Sequence, residues 1–218
     1  FVQGENLPVN LVGMQAIDAK SRELRLVCEL FDFAGVTGHV NAGGSMVMTE
    51  ENYLAFSSAI EELTKEPQDK SYSRYIARRG KMAGLDTSTP EGYAMGRVAA
   101  LSRAFKPEQG QAIQVAWKGL TDVQRQTLTK EMNATGLDGN KGVLIYYAPA
   151  VIANAVKSTG SYGGGLDYAL RIFAKVYTDA RATAPDQKGN GVITINVAEQ
   201  ARQAAQLKPP SQKQVMKP

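Results

Sequence analysis

The chain has a single cysteine, a single histidine and a single tryptophan in 218 residues. One cysteine, Cys28, excludes a disulfide framework within the chain, and its place in LRLVCELF predicts a small core residue. The lone His39 stands in GVTGHVNAGG with no second imidazole and no thiol nearby, so a protein-only zinc site is not expected. That glycine-rich stretch follows neither the dinucleotide-binding nor the phosphate-loop spacing and predicts a surface loop. No run approaches the roughly 18 to 20 apolar residues of a membrane span, and no membrane partner is expected. Adjacent carboxylates such as Glu61 and Glu62 read as a solvated helix face, so the chain is not expected to be an enzyme and no cofactor is expected. The first residue, Phe1, reads as a processed or trimmed start.

What the chain does have is charge sorted by position. Residues 1–69 hold four Lys/Arg against eleven Asp/Glu, residues 70–106 eight against two, and residues 107–218 thirteen against eight, giving the net +4. Such a split suits a subunit that sets its acidic part on a neighbour's basic part, or one that holds a polyanion along a basic belt.

The hydrophobic periods predict a mainly α protein, with a single helical core domain over 16–207, an extended N-terminal docking arm over 1–15 and a basic C-terminal tail over 208–218. Leu24, Val27, Cys28 and Phe31 recur at helical spacing, with Ser21 able to cap and Gly35 able to stop the helix. A second helix is expected over about 50–65, started by Thr49 and carrying Tyr53, Phe56, Ile60 and Leu63 on one face. Thr89 followed by Pro90 predicts a capped start for a helix that buries Met95, Val98, Leu101 or Ser102, and Phe105. Residues 111–120 read as a further helix with Trp117 in the core or an interface, and Thr121 as the cap of the next. Val143–Tyr147 is a buried element, strand or helix, and STGSYGGG a hinge-like loop. Leu166, Ala169, Leu170, Phe173, Val176 and Tyr177 mark the clearest amphipathic helix, ITINV a short extended piece, and AEQARQAAQL a final alanine-rich helix.

Within YSRYIARRGKMAG the charge reverses. Arg74, Arg78 and Lys81 fall four and three apart, with Tyr72, Tyr75 and Arg79 beside them, and Arg97, Arg103 and Lys106 follow. Cations that neutralise phosphates beside tyrosines that stack bases are suited to single strands, so Arg74, Arg78, Arg79, Lys81, Arg97 and Arg103, with Tyr72 or Tyr75, are the expected RNA-binding groups.

The succession YYAPAVIAN, LRIFAKVYTDARA and GNGVITINVAEQARQAA resembles the C-terminal half of coat proteins of flexuous filamentous plant RNA viruses. RELRLVCELFDFAGV is similar to the helix after their N-terminal arm, and GRVAALSRAF to a core helix shared with nucleoproteins of some segmented negative-strand RNA viruses. The resemblance implies a viral coat or nucleocapsid subunit of the virion, present in host cytoplasm. Such a subunit binds single-stranded RNA non-specifically and polymerises with itself head to tail through the N-terminal arm. It implies an RNA pocket with a serine and an arginine, for which Ser73 or Ser102 and Arg74, Arg78 or Arg97 are the available residues. The aspartate that those proteins carry in the aromatic helix is replaced here by the run Phe173, Ala174, Lys175. The rival expectation is an exported bacterial or phage assembly component of secretion or conjugation type, with no nucleic acid bound.

Overall fold

A computed structural model describes residues 4–15, separate positions between 18 and 65, residues 70–184 and residues 186–207. The fold is mainly α. In chain order it contains α1 (Pro8–Gln15), α2 (Ser71–Met82), α3 (Pro90–Leu101), α4 (Pro107–Lys118), α5 (Asp122–Asn133), β1 (Gly142–Tyr146), α6 (Ala148–Thr159), α7 (Tyr162–Thr183), β2 (Val192–Asn196) and α8 (Ala198–Ala204).

The helix starts follow local chemistry. Thr89 Oγ1 accepts from the Gly92 amide at 3.0 Å, with Pro90 in the first turn of α3, where a missing N–H costs nothing. Thr121 and Gln124 cap α5 reciprocally: the Gln124 amide donates to Thr121 Oγ1 at 3.3 Å and the Thr121 amide to Gln124 Oε1 at 3.0 Å. Helix α4 starts at Pro107, earlier than the apolar period indicates, because Gln109 Oε1 accepts from the amides of Phe105 and Lys106 and closes its first turn. At the other end of α2, Gly84 takes φ +68, and the Leu85 amide donates to the Gly80 carbonyl at 2.8 Å.

Helix α7 is the spine of the core. Leu166, Ala169, Leu170, Phe173, Val176 and Tyr177 are all buried, as their spacing predicts. It packs on α6, α4 and α5. The glycine triplet before it is no hinge. Ser161 accepts from the Gly164 amide at 3.2 Å and α7 begins at Tyr162, so Gly163 to Gly165 lie in its first turns. Gly165 has a steric reason to be glycine, since a Cβ there would lie 2.4 Å from the Val156 nitrogen of α6.

Val143–Ile145 resolve as strand. β1 pairs in parallel with β2 in the register Gly142↔Val192 to Tyr146↔Asn196, and α6 and α7 form the crossover. Val143 and Ile145 join Trp117, Leu128, Met132, Val151 and Ile152 in the main core. A smaller cluster of Leu11, Ala59, Tyr72, Tyr75, Ile76 and Ala100 seats the N-terminal segment on α2 and α3.

That seat shows what the N-terminal segment does within one chain. Leu7 is fully buried, and the Val9 amide donates to the Thr135 carbonyl at 3.0 Å, so residues 4–11 lie on their own core. The described positions of the next two segments are mostly helical, and while Ala59 is buried, most of their large apolar residues face outward. Leu24, Val27, Cys28, Phe31 and Tyr53 are exposed, which overturns the core assignment of Cys28. Asp18, and not Ser21, makes the cap there, accepting from the Ser21 amide at 2.9 Å. The expected helix stop at Gly35, the loop containing His39, the Thr49 cap, and Phe56, Ile60 and Leu63 lie outside the described residues, as does the tail over 208–218.

Candidate nucleic-acid interface

Helix α2 presents two faces, and the tyrosines are on the inner one. Tyr72 and Tyr75 are buried, Tyr72 Oη donating to the Gly4 carbonyl at 3.2 Å. Burial pushes the Tyr75 hydroxyl well above its ordinary value, so it stays neutral. Neither ring is available to stack a base from solvent.

Two of the six expected cations are enclosed. Arg79 is fully buried, donates to the Ala104 carbonyl at 3.0 Å, and lies over the Phe105 ring with its guanidinium carbon 4.0 Å from the centroid. Burial lowers its pKa from the ordinary 12.5. Arg97, 2% exposed, donates to four carbonyls: Gly4 and Glu5 at 3.2 Å, Asn6 at 3.3 Å and Met132 at 3.2 Å. A guanidinium carries five fixed donors, and here they fasten the N-terminal segment to α3 and α5. Arg97 fills a structural position as the protein stands.

Arg74 and Arg78 reach the surface but meet carboxylates. Arg74 Nε donates to Glu62 Oε2 at 2.9 Å, and its Nη2 to the Lys65 carbonyl at 2.7 Å. Arg78 bonds Glu61 and also lies 3.7 Å from Glu62. Hydrogen bonds from Lys65 and Arg78 hold the Glu61 carboxyl down at about 2. The acidic first third therefore meets the basic belt inside one chain at these residues. Sequence distance hides this, because the partners lie 12 and 17 positions away.

Lys81 and Arg103 are exposed. Lys81 stands in the last turn of α2, and Gly84 just beyond it packs against Pro107, where an added Cβ would lie 3.4 Å from Pro107 Cβ. The end of α2 is thereby joined to the turn that carries Arg103 and the exposed Lys106. Arg103 has φ +53, with the Ala104 amide donating to the Ala99 carbonyl at 2.8 Å, so this turn is closed by an arginine in place of the usual glycine. Ser102 is half-buried, donating to the Val98 carbonyl at 2.8 Å and accepting from Tyr162 Oη at 2.8 Å. Of the expected set, Lys81 and Arg103 are the cations that the structure leaves exposed, as it does the neighbouring Lys106.

One pair of aromatics corrects the sequence reading, which placed Val143–Tyr147 wholly in a buried element. Tyr146 and Tyr147 are each 43% exposed, with ring centroids 4.2 Å apart. The Tyr-Tyr step before Ala-Pro was the visible signal, but side-chain direction there depends on a left-handed residue, Tyr147 at φ +74.

Among the described residues there is no group of three or more metal-ligating side chains, and no helix is long and apolar enough to cross a membrane. Residues 1–208 match the family described as Family of unknown function (DUF6829). The chain belongs to this family. No curated protein and no solved structure matches it.

Proposed function

We propose that this member of the family is a self-assembling subunit of nucleocapsid or coat type that holds single-stranded RNA without sequence preference. The observation that carries the reading is the apolar stripe of Leu24, Val27 and Phe31, exposed by 64%, 45% and 73% on helical positions three and four apart. Residues at that spacing share one helix face. Burying such a face against a neighbouring copy is favourable by roughly 25 cal/mol per Å² of apolar surface. A contact between this face and a different surface of the next copy does not close on itself, and it propagates as a helical filament.

RNA retention is supported by the exposed cations Lys81, Arg103 and Lys106, and by the net charge of +4. Three phosphate contacts predict a log affinity that falls with log salt at a slope of about −2, from ~0.7 per contact on single strands. The virion and the host cytoplasm are the corresponding locations. The intramolecular pairing of Arg74 and Arg78 favours a second reading, an assembly component that binds no nucleic acid.

Purified full-length chain, measured for ultraviolet absorbance ratio and imaged before and after ribonuclease, separates the two. Rods that carry nucleic acid support the first reading, and protein-only assemblies the second. Joint Leu24→Ser and Phe31→Ser substitution should abolish assembly while leaving a folded monomer. Unchanged assembly by that variant would overturn both.

A further inference from the structure

Tyr146 ends β1 and Tyr147 precedes α6, between two buried neighbours, Ile145 and Ala148. The two tyrosine rings leave that core together. Their planes tilt by 51° at 4.2 Å between centroids, which presents one aromatic corner to solvent.

The position works against local preference twice. Tyr147 has φ +74 and ψ +15, a left-handed conformation that ordinary side chains rarely adopt and that glycine or asparagine adopts easily. It is also the N-cap of α6 and makes no side-chain capping bond, where Ser, Thr, Asp or Asn would supply one. A strained backbone that holds a large ring in solvent does nothing for the packing of this fold, and strain of this kind collects at binding sites.

Location adds a second argument. The tyrosines stand at the C-terminal end of both parallel strands, where the Val197 amide at the start of α8 donates to the Tyr146 carbonyl at 3.1 Å. In larger open α/β sheets ligands bind beyond this end of the strands, and the two-stranded pair here presents its tyrosines in the same sense. Glu5 of the N-terminal segment lines a small cleft with Ile145 and Ala148, the residues that flank the tyrosine pair.

We propose that Tyr146 and Tyr147 form a stacking platform for a nucleobase of single-stranded RNA. The inference rests on the RNA reading above and replaces Tyr72 and Tyr75, whose rings are buried, as the stacking groups. Each base has a π-face, so the platform is tolerant of sequence. Glu5 disfavours a phosphate beside the rings, so the base turns toward the tyrosines and the backbone away from them.

The test uses the full chain with two labelled probes of equal length, oligouridine and an abasic strand. Tyr146→Ser joined to Tyr147→Asn removes both rings while keeping a residue suited to the left-handed turn. This variant should bind oligouridine about 10-fold more weakly or worse, at an unchanged salt slope, and should lose the preference for oligouridine over the abasic strand. Tyr147→Phe should retain both properties. If the wild type binds oligouridine and the double variant binds it equally well, the platform is wrong and the RNA reading stands. If the wild type binds neither probe at low salt, the RNA reading fails and the platform with it.

Discussion

Arg97 Nε donates to the carbonyl oxygen of Gly4 at 3.2 Å across 93 positions of chain. Three other carbonyls share the same guanidinium, so one side chain fixes the path of the N-terminal segment. Arg97→Ala would leave four buried acceptors without their donor, and a loss on the order of 3 kcal/mol in unfolding free energy is expected. Limited proteolysis should then cut before residue 12 in the variant and spare the wild type. Equal protection of the two would show that Leu7 and Leu11 alone seat the segment.

Glu5 gives a pH prediction. Burial raises its carboxyl above the ordinary 4.5, so the folded state keeps a proton that the unfolded chain has already released. By linkage, stability present below the unfolded value is lost as pH rises through the folded value. Glu5→Gln should therefore melt higher than the wild type at pH 7, with the difference shrinking below pH 4.5. A difference that grows on acidification would assign Glu5 a stabilising charge.

Two glycines in helices should respond in opposite directions to alanine. A Cβ at Gly110 would lie 1.8 Å from the Ala83 carbonyl oxygen, so Gly110→Ala must push α4 away from the end of α2 and should cost several kcal/mol. A Cβ at Gly163, in the first turn of α7, meets nothing within 4 Å, so Gly163→Ala should stabilise by about 0.4–1 kcal/mol through the unfolded chain. Urea melts of the two variants check both signs.

The sequence made faces and caps legible, and partners much less so. The α7 stripe, Thr89 with Pro90, and the Thr121 cap all depend on neighbours within a turn, and all were readable. The fate of the arginines was not. Arg79 and Arg97 bond to backbone carbonyls, and a carbonyl acceptor carries no residue identity that a sequence could show. Arg74 and Arg78 needed knowledge that the helical stretch containing Glu61 and Glu62 packs beside α2. The SYGGG stretch misled because glycine signals both flexibility and close approach, and only the Val156 contact shows that close approach applies. The outward direction of Leu24, Val27 and Phe31 was equally hidden, since a helical period marks a face without saying what covers it.

The parallel pair has a consequence during synthesis. Gly142 finds its partner only when Val192 has been made, which leaves the apolar run Val143, Leu144, Ile145 with an open edge for several seconds at ordinary rates of elongation. Through that interval the nascent chain exposes a short β-prone segment able to pair with a neighbour on the same message. Protection of that segment depends on the speed with which α6 and α7 fold over the strand, or on a chaperone that holds it until β2 arrives.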